Sequence, residues 1–336
     1  MKKLFTLLLL PVLLFNCSKN TVSSVTPSPV IPVTTSTNPI TSLPAGWRLA
    51  TTFMNNFPAG IQLYSFDSIF NGQKTKAFCL AYDSKVANLE FKPALSAVAK
   101  TPTAFYNEES GITYACINGG FFGGNQSYGL VKYNNVVSSP NIKTLTRVYN
   151  GVNTSYYPTR AAFGVNNAGA PSVAWIYNVG AGNDLIYSYP FASPNEINTA
   201  PQPVPTETFP VGGVVWPMVS AIGGSPVLIK NSTVQITDKE ELIVIDNASS
   251  RARSAIGYAS NGIVLIFAVE GDNLPNYPGI NLPNLAQLLK SFNCIDAINL
   301  DGGGSTSFRV NGLQTVRPSE NGVERVVASA VLIKKR

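Results

Sequence analysis

Ala297-Ile298-Asn299-Leu300-Asp301-Gly302-Gly303-Gly304-Ser305-Thr306 begins as an apolar run and ends in a carboxylate, three glycines and two hydroxyls. The run from Ile295 to Leu300 is short and apolar, which predicts a buried strand. Three consecutive glycines lose much backbone entropy on folding, so an ordinary surface turn has little use for them. They let main-chain N–H groups approach an oxyanion closely. A tight turn capped by Asp301 would use the same residue types, and the flanking sequence decides between the two.

Upstream, Arg253-Ser254-Ala255-Ile256-Gly257, then Asn261-Gly262, then Ile263 to Val269 followed by Glu270-Gly271 predicts strand, turn, strand. Leu285, Leu288, Leu289 and Phe292 recur at helical spacing after Pro283, which suits a first helical turn. The order is strand, hairpin, strand, loop, helix, strand, Gly-rich loop. Together with the short apolar runs between Asn/Gly turns from Trp47 to Phe91, it predicts an α+β fold. Mixed, mostly antiparallel sheets and a few helices are expected around one cleft.

These stretches carry a family resemblance. Arg253 to Gly257, Glu270-Gly271, Gly279-Ile280-Asn281-Leu282 with Leu285-Ala286, and Asn299 to Ser305 resemble the motifs of the phosphodiester glycosidase domain. Asn118-Gly119-Gly120-Phe121-Phe122 and Gly223-Gly224-Ser225-Pro226-Val227-Leu228 are similar to two more. The motifs fall in family order across residues 115–330. The loop Asp272-Asn273-Leu274-Pro275-Asn276-Tyr277 is this chain's own, which leaves the acceptor sugar or polymer open.

The resemblance implies a hydrolase that removes a sugar, N-acetylglucosamine-like, from a sugar-1-phosphodiester and leaves a phosphomonoester. Positive charge would develop at the anomeric carbon and negative charge on the departing phosphate. Arg253 and Arg325 are the expected phosphate ligands. Gly302, Gly303 and Gly304 with Ser305 and Thr306 would supply fixed donors, and Asn118, Gly119 and Gly120 would flank the ligand. Asp301 and Glu270 are the candidate catalytic carboxylates, with their order and the stereochemical outcome open. Two rival functions stand beside this one: a surface glycan-binding lipoprotein without turnover, and a phosphodiesterase releasing sugar-1-phosphate.

Composition narrows the chemistry. Among 336 residues there is no histidine, which removes Ser-His-Asp and Cys-His catalysis and His-ligated zinc. The net charge of +6 is spread without a basic run beyond the termini, so nucleic acid is not an expected partner. Asp301, Glu270 and Asn118 are oxygen donors of the kind Ca²⁺ or Mg²⁺ accepts. No loop has recognisable ligand spacing, so no cofactor is expected, with room left for a bound Ca²⁺ or Mg²⁺.

Residues 1–16, with Lys2, Lys3 and an apolar stretch shorter than a membrane span, read as a lipoprotein signal peptide with Cys17 as the lipidation site. Phe15-Asn16 is looser than the usual small-residue sequence before such a cysteine. Residues 17–45 are a Ser/Thr/Pro-rich tether, and residues 46–336 the expected domain, monomeric and anchored to the bacterial envelope. Cys79, Cys116 and Cys294 lie in apolar runs and are expected to be inert. Arg160-Ala161-Ala162-Phe163-Gly164 with Gly169 echoes the spacing of Arg253 to Gly257 with Gly262. A duplicated hairpin or two arginines on one cleft face would account for it, and Arg160 is a secondary site candidate. Residues 190–210 read as an inserted loop.

Overall fold

Three antiparallel sheets carry the chain. The computed structural model describes residues 39–336, so the signal peptide, Cys17 and most of the tether lie outside the described residues. An eight-stranded sheet takes, in spatial order, Trp47–Leu49, Ile61–Phe70, Gln73–Tyr82, Val264–Val269, Arg253–Ala259, Cys294–Asn299, Val227–Lys230 and Thr233–Val234. A seven-stranded sheet is centred on Arg160–Asn166, between Pro171–Asn178 and Met218–Gly223. A five-stranded sheet places Val327–Lys335 between Leu89–Lys100 and Thr113–Asn118.

The α+β expectation is corrected here. Among the described residues there are two α-helices, Pro102–Glu108 and Leu282–Lys290, of 7 and 9 residues, and the fold is mostly β. Nor are the sheets mixed: the strand pairings are antiparallel throughout. The reason lies in the turns. Asn71-Gly72, Asn134-Asn135, Asn150-Gly151, Asn231-Ser232 and Asn311-Gly312 each join two strands with both residues at positive φ. Two-residue turns of this kind match the twist of paired strands, and asparagine and glycine tolerate the left-handed backbone they need.

The main core lies among the three sheets. It includes Phe78, Leu80 and Tyr82 of the first, Phe163 and Trp175 of the second, and Ile117 and Val331 of the third. The eight-stranded sheet is buried on its other face too, where Ala77, Cys79, Ala81, Leu265 and Phe267 meet Leu285, Leu288 and Leu289 of the longer helix. Unbroken apolar strands follow from burial on both faces. Asn281 caps that helix by accepting from the Asn284 N–H at 2.9 Å, with Pro283 in its first turn.

The stretch Ala221 to Ile229, although apolar throughout but for its Gly-Gly-Ser-Pro centre, forms parts of two strands. Met218–Gly223 belongs to the seven-stranded sheet and Val227–Lys230 to the eight-stranded one, with Gly224-Ser225-Pro226 crossing between them. A Cβ on Gly224 would collide with the Asn299 carbonyl, so glycine is required where the sheets come together. Cys79, Cys116 and Cys294 are buried free thiols.

Candidate active site

Pairing of Ala255 with Asn299 and of Arg253 with Val269 sets one end of the eight-stranded sheet. Glu270, Arg253 and Asp301 therefore sit at the same edge, each at or within two residues of a strand end. The neighbouring five-stranded sheet brings Asn118 and Gly119 to this edge. The Gly119 N–H donates to the Ser329 carbonyl at 2.8 Å, and the Asp301 N–H donates to the Gly119 carbonyl at 3.1 Å.

Asp301 is half-buried at the mouth of the Gly-rich loop. Its carboxylate accepts from the Gly302 N–H at 2.9 Å. The buried Ser305 hydroxyl stands near it without meeting the geometry of a full hydrogen bond. Burial pushes the Asp301 carboxyl above its ordinary value, against the pull of Ser305, the Gly302 N–H and the Arg325 charge. Gly303 to Ser305 form one 3₁₀ turn, in which Ser305 and Thr306 donate back to the Gly302 and Gly303 carbonyls. The Gly303 N–H donates to the Ala252 carbonyl at 2.8 Å. The amides of Gly302, Gly303, Ser305 and Thr306 are thus engaged within the chain.

Asn118 is fully buried and holds the site together rather than facing a ligand. Its Nδ2 donates to the Asp301 carbonyl at 2.7 Å and the Gly119 carbonyl at 3.1 Å. Its Oδ1 accepts from the Ser254 hydroxyl at 2.7 Å and the Ser307 N–H at 3.3 Å. Thr306, also buried, adjoins the Ser254 hydroxyl at 3.5 Å. Gly120 is pressed against the Gly223 carbonyl, where no side chain fits.

The remaining candidates divide by environment. Both oxygens of Glu270 are held: Oε2 by Lys76 Nζ at 2.8 Å and the Arg317 N–H at 3.0 Å, Oε1 by Asn273 Nδ2 at 2.9 Å. Arg253 is buried, and its Nε and Nη2 donate to the carbonyls of Ile280, Asp246 and Ser249 at 3.1, 2.5 and 3.1 Å. Burial brings its guanidinium down to about 10, still charged at neutral pH. Arg325 is exposed, lies against Gly304 and pairs with Glu320, not with its neighbour Glu324. Glu324 instead accepts from the Ser307 hydroxyl at 2.5 Å and the Thr103 N–H at 3.2 Å.

Sequence reasoning passed over Glu241, the most deeply embedded carboxylate here. It accepts from the Ala161 and Val227 amides, the Ser225 and Thr237 hydroxyls and the Trp175 indole at 2.6 to 3.1 Å. Nothing around it in sequence marks it, because its five donors come from four separate segments. Arg160, the counterpart of Arg253, donates to the Glu241 and Leu242 carbonyls at 3.1 and 3.3 Å. The echo is thus two hairpins whose leading arginines each grip carbonyls of the segment 241–249. Among the described residues no three His, Cys, Asp or Glu side chains cluster as a metal would require.

With this geometry in place, comparison with known proteins becomes specific. The phosphodiester glycosidase family model matches residues 112–334, more than half of the chain, and spans every one of these edge residues. The chain belongs to the phosphodiester glycosidase family. Over 115 residues it is 30% identical to the human N-acetylglucosamine-1-phosphodiester alpha-N-acetylglucosaminidase, and over 117 residues 29% identical to that of mouse. These matches cover 31% and 32% of the chain and 22% of each relative, so the chain spans about a fifth of their length. A Bacillus subtilis prophage-derived protein, YomE, is 35% identical over 109 residues, covering 32% of this chain and 16% of that protein. The zebrafish N-acetylglucosamine-1-phosphodiester alpha-N-acetylglucosaminidase catalytic domain superposes with a TM-score of 0.54 at 15% identity, covering 90% of this chain and 99% of that one. A Synechocystis hypothetical protein gives 0.56 at 17% identity, over 84% and 63% of the two chains. At such identities the structures establish a shared fold.

Proposed function

We propose that the chain hydrolyses sugar-1-phosphodiesters, with N-acetylglucosamine as the sugar, leaving a phosphomonoester on the other partner. The observation that carries this reading is Asp301: a half-buried carboxylate raised by burial, at a strand end shared with two arginines, inside the span matched by the family model. In the reaction the bond between the anomeric carbon and the phosphate oxygen breaks, and its electron pair leaves with the phosphate. Water oxygen bonds the carbon, and one water proton passes to the Asp301 carboxylate. Arg325 meets the charge growing on the phosphate. A phosphomonoester leaves readily, so a dedicated acid is unnecessary, and Glu270, held on both oxygens, positions the Arg317 segment. Arg253 shapes the site by fixing the loop carbonyls it holds. The leader read in residues 1–17 supports action outside the cytoplasmic membrane, on envelope or imported glycans.

The test is incubation of the full chain with an alpha-N-acetylglucosamine-1-phospho-mannoside, following products by NMR, with Asp301→Asn alongside. Free sugar and a phosphomonoester, reduced at least about a hundredfold in the variant, are expected. Sugar-1-phosphate as the product, or full activity in Asp301→Asn, would overturn the assignment.

A further inference from the structure

A cavity of about 440 Å³ is lined by Phe121, Phe122, Tyr128, Ile243 and Val244 together with Arg147 and Arg160. Two of its lining segments run on along the chain to residues of the candidate site. Phe121 and Phe122 continue directly from Gly119, whose carbonyl accepts from Asp301, and from Gly120, which touches the Gly223 carbonyl. On the other side, Leu242, Ile243 and Val244 lead to Asp246, whose carbonyl holds Arg253.

No carboxylate lines this cavity. Arg160 is buried and donates through Nε and Nη2 to main-chain carbonyls. Arg147 reaches over from the hairpin Leu145–Tyr156 and touches the Leu242 carbonyl at 3.4 Å. Neither has an ion-pair partner among the described residues. Both guanidinium groups reach the same Leu242 carbonyl, Arg160 at 3.3 Å and Arg147 at 3.4 Å, so two positive charges converge on one wall of the cavity. Such a pair suits an anionic group on the ligand, and the ring-lined remainder matches an apolar or aromatic body.

We propose that this cavity is the leaving-group subsite, and that it selects an anionic partner with an aromatic or apolar body over a neutral sugar. The inference rests on the hydrolase reading above and extends it to the other half of the diester. Its test uses the full chain and three diesters of alpha-N-acetylglucosamine-1-phosphate, with phenyl, 4-carboxyphenyl and mannosyl leaving groups. The 4-carboxyphenyl diester is expected to show a KM about tenfold below that of the phenyl diester, as one charge-assisted contact gives. Arg147→Gln should reduce that ratio to below about twofold, and Phe121→Ala should raise KM for both aryl diesters. Equal KM values, or a preference that survives Arg147→Gln, would overturn the proposal. Calorimetry with 4-carboxyphenyl phosphate separates the two readings. Binding lost in Arg147→Gln, with no diester turned over, supports the anion pocket and refutes the hydrolase. Turnover without discrimination does the reverse.

Discussion

Burial of the Asp301 carboxylate works against the stability of the fold at neutral pH, as the proposed role of this residue in the reaction would explain. A carboxyl raised in the folded state stabilises the fold below the ordinary Asp range and loses that contribution as pH rises through the raised value. Asp301→Asn should therefore gain thermal stability over the parent as pH rises from that range to neutrality, and the gap should close in acid. Calorimetric scans at several pH values check this, and a variant less stable at neutral pH would assign Asp301 a structural role. The same shift places the acid limb of kcat/KM above the usual carboxylate range, because the anion is the active form. Asn118 works in the opposite sense. Asn118→Ala frees two carbonyls, one hydroxyl and one amide in a buried place, and should cost about 2–4 kcal/mol in urea unfolding. Glu270→Gln, with its oxygens already held, should keep turnover within about threefold while losing about 1–3 kcal/mol of stability. A hundredfold loss of turnover would return Glu270 to the chemistry.

Hairpins are the elements that aim these side chains. Arg160–Asn166 with Pro171–Asn178, and Arg253–Ala259 with Val264–Val269, each open on an arginine that turns back onto carbonyls of the 241–249 segment. Glu241 ties that segment to the crossing between sheets at Ser225 and Val227. Burial pushes its carboxyl up while its donors pull it down, so its energy depends on keeping every donor. Glu241→Ala leaves four buried donors without an acceptor, the Trp175 indole keeping the Thr237 hydroxyl, and should cost about 3 kcal/mol or more in urea unfolding, with Glu241→Gln less damaging. A loss below about 1 kcal/mol would show that water replaces the carboxylate. The hairpin at Asn261-Gly262, the helix after Asn281 and the strand before Asp301 were all legible from period and turn residues.

At the scale of the whole molecule, the all-antiparallel architecture was less legible than its parts. Apolar strands buried on both faces have no alternation, so period alone does not separate them from buried helix. The repeated turns opening on asparagine carried the missing signal, three Asn-Gly, one Asn-Asn and one Asn-Ser, each demanding a paired strand on either side. The site was readable as a set of residues at strand ends, since Asp301, Gly119 and Arg253 meet at one edge. Their division of labour was not, because whether an arginine faces solvent or a carbonyl depends on loops remote in sequence, as Arg253 and Arg325 show. The central claim is that the bond broken lies between the anomeric carbon and oxygen, and release of free sugar alone does not decide it, since cleavage at phosphorus can give the same products. Hydrolysis of the diester in ¹⁸O-water, with mass spectrometry of both products, does. The account predicts the label in the released sugar, and label in the phosphomonoester would contradict it.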